Sequence, residues 1–554
     1  MTHSMSVRHQ GLAHADPHSD TGFRLLTRFA MAAGVAALVA VSVAITRPSE
    51  MTFPALPEHH NEQAPPLAIM VAVVLAGVLA SWVLVEGTRL KLSMSVRRAV
   101  PLRDVVSIAS LLSVIMVLPW ILTWIIYEAF LGDRLFPAPR STAWGVPHLA
   151  AFGGWVLILL VMLFSWIYRR AVKDAGRRAT VRYACWAVIV ALLLLPLTWD
   201  AVYFYVSSPP DSLLWCVPAS AFALWGIHVM QRHRRLPFRA LLAAFGWGAS
   251  VAIGVSTVNR VFLTFAPSPL GHMETFRVGL SLDAGIFEEF FKGAGIAIVY
   301  LLRRRWFDNV ASGVVIGAAV GLGFNFNESI QYMTGDAGLQ FWNRQTVGMM
   351  TSHVAFSALV GAGFGIAAGE RTWRRKRQAV AAGYLSAVCG HFINNYVMWK
   401  GSGWFSLSSE PLVSVLVLYP TAILVLQGPA LVMYIVLLRK GLKEQAAALA
   451  QELPGEARCG HGAVTRVEVP VLLSPRLRFG QRIRAFRSGG VSRWRQTGRL
   501  QAAQIDLAIH RWHRTRGDTI GTLDEEVRLR EKVLRLKAMH RPLPATRLPA
   551  GVPV

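Results

Sequence analysis

Runs of about 20 apolar residues, enough to cross a bilayer as a helix, recur along this chain, and arginines cluster in every second gap between them. The runs lie at 29–46, 66–85, 105–127, 148–168, 183–206, 213–230, 240–265, 279–301, 310–332, 346–368, 379–399 and 412–438. Between spans two and three stand Arg89, Lys91, Arg97, Arg98 and Arg103. Further clusters follow spans four (Arg169, Arg170), six (Arg232, Arg234, Arg235), eight (Arg303, Arg304, Arg305) and ten (Arg374, Arg375, Lys376). The intervening gaps are poor in base, and 47–66 carries three glutamates. Basic loops stay on the cytoplasmic side, so the alternation predicts a cell-membrane, multi-pass protein with both termini cytoplasmic. The fold class expected is an all-α polytopic membrane protein of about twelve transmembrane helices with a basic, partly helical cytoplasmic tail. Charged residues make up only 16% of the chain, against about 25% in ordinary globular domains, which argues against a soluble enzyme. Pro420 and Pro429 are expected to kink or interrupt the last span.

Four scattered cysteines, Cys185, Cys216, Cys389 and Cys459, show no paired spacing and indicate neither a disulfide framework nor a zinc knuckle. Residues 1–28 read as a cytoplasmic segment with no cleavable signal, and the first span as a retained anchor. Residues 29–270 form a seven-span membrane region, 277–438 a five-span core, and 439–554 the tail. Half of the net charge of +26 falls in that tail. Its first part, with Arg476, Arg478, Arg482, Arg484, Arg487, Arg493 and Arg495, reads as a basic loop. Its second part reads as two amphipathic helices, one with Leu500, Leu507, Ile509 and Trp512, the other opened by a capping box, Thr522 to Glu525, and carrying Val527, Val533 and Leu536. Such a tail suits anionic lipids on the cytoplasmic leaflet; no nucleic-acid-reading motif accompanies the charge, and no nucleic acid is expected as partner.

The first seven spans carry little ionisable chemistry: Asp200, His228 and Arg260 sit near span ends, where long polar side chains snorkel. The next four spans differ. Span eight contains Glu288, Glu289 and Lys292, spaced so that one helical face carries all three. An ionised carboxylate at a helix centre costs roughly 2.5–3.5 kcal/mol on insertion scales, so an intramembrane acid pair is a functional-site hypothesis by default, with Lys292 its partner. Span nine carries Phe324 and Glu328 on one face, span ten His353, and span eleven His391 and Asn395. In the expected orientation all these polar groups lie roughly 6–14 Å below the outer surface, at 1.5 Å of helix rise per residue. Four successive helices thus bring acid, base and amide groups to one layer.

Glu288-Glu-Phe-Phe-Lys292 resembles the EExxK motif of the PrsW-type intramembrane glutamic proteases, relatives of the CAAX-processing and bacteriocin-processing (CPBP) membrane proteases. Phe324 to Glu328 is similar to that family's FxxxE, His353 to its third-motif histidine, and His391 with Asn395 to its HxxxN. The resemblance spans about 277–400. The seven-span region is extra to the family core, Ser329 stands where relatives often have asparagine, and Asn394 adjoins Asn395. The resemblance implies helices around a water-accessible cavity, peptide-bond hydrolysis, and membrane-bound protein substrates such as anti-sigma factors.

On chemical grounds, a glutamate serves as general base when burial and a like-charged neighbour tune its proton affinity. Glu288 is assigned as base and Glu289 as the proton-sharing or orienting partner, roles that are exchangeable. His353, His391 and Asn395 would bind water or stabilise the oxyanion, Lys292 would limit the charge of the acid pair, and Glu328 would orient a histidine. Phe324 reads as packing. No cofactor is required by this scheme, but Glu288, His353 and His391 also make a donor set for zinc. Two competing functions use the same residues: a catalytically silent membrane scaffold of the same fold, and a proton-coupled transporter, since carboxylates and histidines also build proton relays.

Overall fold

A computed structural model of the chain describes residues 17–46, positions 164, 167, 168 and 171, and residues 210–253, 281–282, 284–333, 337–400, 411–517 and 522–539. Every regular element among them is helical. The expected spans 66–85, 105–127 and 183–206, and with them Asp200 and Arg260, lie outside the described residues, as does nearly all of 148–168.

The central element is α5, Val310–Tyr332; before it come α1 (Pro17–Thr46), α2 (Pro210–Met230), α3 (Phe238–Gly246) and α4 (Glu289–Leu302). It packs against α6 (His353–Gly369), α3, α2 and α8 (Tyr419–Arg458), while α6 packs on α7 (Trp373–Lys400) and α7 on α1. A helix that is apolar all round must be buried all round, and the whole apolar window of α5 is enclosed. The sequence permits that enclosure through small residues. A Cβ on Gly313, Gly317 or Gly321 would overlap the backbone carbonyl of Gly361, Ser357 or His353 respectively, and a Cβ on Gly361 would overlap that of Gly313. Interlocked glycines of this kind let membrane helices approach backbone to backbone. The start of α5 is fixed by Asn309, whose side chain accepts from the Ala311 amide at 3.0 Å, while the Ser312 hydroxyl accepts from the Asn309 amide at 3.3 Å.

Among the described residues three helices are long and apolar enough to cross a membrane, at Thr21–Ala40, Val310–Tyr332 and Ser414–Arg458, and two shorter ones, Leu214–Met230 and His353–Gly369, are comparably apolar. Several boundaries differ from the sequence expectation. The first helix begins at Pro17 rather than 29, because Arg24 and Arg28 are accommodated on a helix whose apolar face continues. The arginines at 374–377, expected in a loop, form the first turns of α7. Span ten is shorter than expected: α6 starts only at His353, and the preceding Phe341–Val347 forms a π-helical turn. In the last span the interruption is a π turn at Ser414–Leu418, after which Pro420 takes a first-turn position and α8 runs on through Pro429.

The tail departs most from expectation. The boundary at 438/439 falls inside α8, which continues to Arg458. The basic stretch read as loop is helical: α9 (Glu468–Leu473) leads into α10 (Pro475–Thr515), and α11 (Leu523–Ala538) follows. Its arginines lack an apolar period because some are spent on backbone contacts, as where Arg478 donates to the carbonyls of Leu472 and Arg232. α10 folds back on itself at Gly489 and Gly490, the latter with φ +63°, a conformation that glycine adopts without the Cβ penalty. The Thr522 cap is present, its hydroxyl accepting from the Glu525 amide at 3.4 Å. Leu507, Ile509 and Val533 are buried as expected, whereas Val527 is exposed.

Ion pairs bind these tail helices together. Glu456 accepts from Arg511 at 2.5 Å and Arg530 at 2.7 Å, and Glu526 accepts from Arg514 at 2.5 Å and Arg530 at 2.7 Å. The tail also meets the loops at one end of the apolar helices: Arg234 pairs with Asp506 at 2.9 Å, Gln445 donates to Asp308 at 2.8 Å, and Arg371 donates to the Arg516 carbonyl at 2.7 Å. Burial alone would raise the Glu456 and Glu526 carboxyls, but their arginine partners outweigh it and hold both below the usual carboxylate range. Burial, helped by Arg478 and Arg232, pushes His233 down from 6.5 to about 4. Both effects have one sign. Below 6.5 the unfolded state takes up a proton that folded His233 refuses, and at lower pH the carboxylate contribution is lost as the depressed carboxyls finally protonate. Acidification is therefore expected to loosen the tail in two stages, first as His233 enters its window and then in stronger acid. Hydrogen-exchange protection of α8 to α11, corrected for intrinsic rates, measures this; protection constant from neutral pH to about pH 4 would contradict it.

Candidate active site

Immediately before α4 the chain makes a π-helical turn at Ala284–Glu288. Gly285 lets this turn approach the backbone of α7 at Val388 and Phe392. Neighbouring residues on a regular helix point about 100° apart, and π turns, which recur at functional sites, re-aim side chains. Here Glu288 and Glu289 both turn inward, and both are buried.

Lys292 is the hub. Its ammonium donates to Glu289 Oε1 at 2.8 Å, to Glu288 Oε2 at 3.3 Å and to His353 Nδ1 at 2.9 Å. It also lies 3.8 Å from the centre of the Phe324 ring, a cation–π contact, so Phe324 does more than the packing expected of it. An ammonium has no acceptor, so His353 Nδ1 must accept, and its proton sits on Nε2, which donates to Glu328 Oε2 at 2.5 Å. His391 Nδ1 donates to Glu289 Oε1 at 3.0 Å, and its Nε2 lies 3.8 Å from Glu288 Oε2. His391 stacks on Phe356 with ring centres 5.6 Å apart and meets His353 edge-on at 5.0 Å. Seven of the residues singled out in the sequence, Glu288, Glu289, Lys292, Phe324, Glu328, His353 and His391, thus form one buried cluster supplied by four helices.

Asn395 is placed differently. Its Oδ1 accepts from Asn394 Nδ2 at 3.1 Å, and none of the hydrogen bonds described among these residues joins it to the glutamates or histidines. Asn394 in turn accepts from Gln427 of α8 at 2.9 Å, and Gln427 accepts from the Thr351 hydroxyl. This chain of amides runs beside the cluster.

Two contributions were not read from the sequence. Arg344, in the π turn Phe341–Val347, donates to Glu328 Oε2 at 2.9 Å and lies 3.9 Å from the centre of the Tyr332 ring. It clamps the carboxylate that holds His353. Gln427 is the second. Gln427 is a lone polar residue in an apolar stretch, which is the signal that was available for it; Arg344 stands among Asn343, Gln345 and Thr346 and carries no such signal.

The cluster sits far from the tail. Each of α4, α5, α6 and α7 has one end near the tail-facing loops, and the site residues lie 10–18 residues from that end, roughly 15–27 Å at the helical rise.

Three carboxylates face two permanent cations, Lys292 and Arg344. The remaining negative charge calls for a proton on an imidazole or carboxyl, or for a metal ion. Glu288, His353 and His391 place one donor atom each within 4.8 Å of one another. The chemistry of these donors fits zinc: two imidazoles and a carboxylate form a known catalytic set, and each imidazole is backed by a second-shell carboxylate, Glu328 for His353 and Glu289 for His391. The Glu289 Oε2 atom is buried without a hydrogen-bond partner, so acceptor capacity is left over. Lys292 Nζ stands against two of the three donors and would have to withdraw from them.

Residues 236–425 match the family model described as PrsW family intramembrane metalloprotease. The matched segment runs from the turn before α3 into α8 and holds every residue of the cluster. No curated protein and no solved structure matches the chain. With the apolar helices, the family match points to a membrane protein carrying a protease domain.

Proposed function

We propose that this chain is an intramembrane protease that hydrolyses peptide bonds of membrane-bound proteins at the cluster around Lys292. The observation that supports this most directly is the pairing of two buried carboxylates, Glu288 and Glu289, with two buried imidazoles, His353 and His391. Glu288 is the general base: it is held more loosely than Glu289, and the 3.8 Å gap between its Oε2 and His391 Nε2 suits a bridging water. Glu288 takes a proton from that water as its oxygen attacks the scissile carbonyl carbon. The Lys292 ammonium, held against His353 Nδ1, stabilises the oxyanion, and the proton on Glu288 passes to the leaving amine as the C–N bond breaks. Glu289 keeps Lys292 and His391 in place. Were zinc bound by Glu288, His353 and His391, it would supply a Lewis acid and a more acidic water.

The site lies at the end of the helices remote from the tail. With the basic loops cytoplasmic, cleavage falls near the outer side of the membrane, and anti-sigma-factor-like proteins are substrates of the right topology. A proton-coupled transporter is the weaker reading, since the ionisable groups gather at one closed cluster rather than along a path.

The test compares membrane-protein N-termini in cells carrying the intact chain or Glu288→Ala, alongside metal analysis of the purified protein. New N-termini that vanish in the variant are expected. Identical N-termini in both would remove the proposal, and stoichiometric metal would replace the glutamate-base scheme with a metal-assisted one.

A further inference from the structure

The first part of α10 is chemically unlike the rest of the protein. From 469 to 505 there are eight arginines and no acidic residue. Two helical arms, joined at Gly489–Gly490, lie side by side: Arg482 Nε donates to Gln501 Oε1 at 2.7 Å, and Gln501 Nε2 donates to the Arg478 carbonyl at 3.3 Å. Phe479 and Phe486, seven residues apart and so on one helical face, both meet Trp494 of the second arm edge-on, at 5.8 and 6.4 Å. This aromatic group is exposed: Phe479 is 58% accessible, Phe486 48%, and Val491 at the bend 53%. Arg484, Arg487 and Arg495, all exposed, surround it. The ion pairs that consume the other tail arginines are made by Arg511, Arg514 and Arg530, not by these.

An exposed apolar patch ringed by cations, with no anion in between, matches the interface of an anionic bilayer, where aromatic rings enter the headgroup layer and arginines meet phosphates. The root of the hairpin is already at the end of the apolar helices, because Arg478 donates to the carbonyl of Arg232 in the loop joining α2 and α3, at 2.5 Å. The first arm is roughly 20 Å long at the helical rise, so the bend lies within reach of that same membrane surface. The hairpin is tethered to its target, which raises the effective concentration and makes a modest intrinsic affinity sufficient.

We infer that the α10 hairpin, through Phe479, Phe486 and Val491 framed by Arg484, Arg487 and Arg495, docks on the anionic leaflet of the membrane in which the chain is embedded. This surface is independent of the protease reading: a catalytically dead chain would dock equally.

The test uses the full chain in lipid nanodiscs, with an environment-sensitive fluorophore on Val491→Cys in a Cys459→Ser background, since Cys459 is the exposed native thiol among the described residues. Discs of phosphatidylcholine alone are compared with discs containing phosphatidylglycerol, each with and without a lipid-borne quencher. Quenching is expected to be several-fold stronger in the anionic discs and to fall to the zwitterionic level in Arg484→Gln/Arg487→Gln/Arg495→Gln and at high salt. A second label at Arg528→Cys on α11, away from the hairpin, should report no lipid-dependent change. Equal quenching in both disc types overturns the inference, as does a label that stays in water in anionic discs. A response to added duplex DNA with none to anionic lipid would reassign the surface to nucleic acid.

Discussion

Purified Glu288→Gln protein should cleave substrate on the order of 10²–10⁴-fold more slowly than the parent, with kcat carrying the loss and KM little changed, as expected for removal of a general base. The change is nearly isosteric and leaves Lys292 bonded to Glu289 at 2.8 Å, so folding is expected to survive. Glu289→Gln should also lose most activity, for a different reason. Glu289 is fully enclosed and accepts from both Lys292 and His391. An amide can still accept both bonds through its carbonyl oxygen but leaves the buried ammonium without that negative charge, and removing one partner of a buried ion pair costs about 3–5 kcal/mol. The two variants therefore separate by stability: Glu288→Gln dead but as heat-resistant as the parent, Glu289→Gln dead and less stable. Should Glu288→Gln retain full activity while Glu289→Gln has none at unchanged stability, the two roles are exchanged; full activity in both removes the site assignment.

Gly321→Leu is the structural counterpart. The space a side chain would need at Gly321 holds the carbonyl of His353, the first residue of α6. Overpacking a close-packed interior costs typically about 1–3 kcal/mol, and here the obstruction is backbone, which cannot rotate away. The displaced residue is one that both Lys292 and Glu328 hold within hydrogen-bond distance. The variant should show a clearly lowered midpoint of thermal unfolding in detergent and no cleavage. Gly321→Ala should fall between it and the parent. Gly428→Ala, where nothing lies within 4 Å of the added atom, should be neutral. A Gly321→Leu protein with the parent's midpoint and rate would show that α5 and α6 are not interlocked as described.

Most of the cluster was legible because each member breaks an apolar run: Glu288, Glu289, Lys292, Glu328, His353 and His391 are costly in hydrocarbon and so announce themselves. What the spacing could not convey was the arrangement. Helical periodicity puts Glu288, Glu289 and Lys292 on one face, but the π turn at Ala284–Glu288 that precedes them leaves no periodic trace. Arg344 was hidden because it falls in the gap between two expected spans, a segment that folds as a π turn against the cluster. Asn395 was carried by its position in a motif, whereas Asn394 bonds to Gln427 of α8, which in turn bonds to Thr351 just before α6. The basic first part of the tail was read as loop because helical character there is held by polar contacts and backbone-bound arginines, such as Arg478, rather than by an apolar stripe.

The reach of α8 has a mechanical meaning. At Gln427 it belongs to the amide chain beside the active site; at Gly441 its carbonyl accepts from Asn309 at 2.6 Å; at Glu452 and Glu456 it is clamped by Arg511. Its forty residues extend roughly 60 Å at 1.5 Å each, about twice the hydrocarbon thickness of a bilayer. One continuous helix therefore links the tail to the amide chain beside the cluster. A pull, tilt or rotation imposed on its tail end has a direct path to Gln427, next to the proposed site.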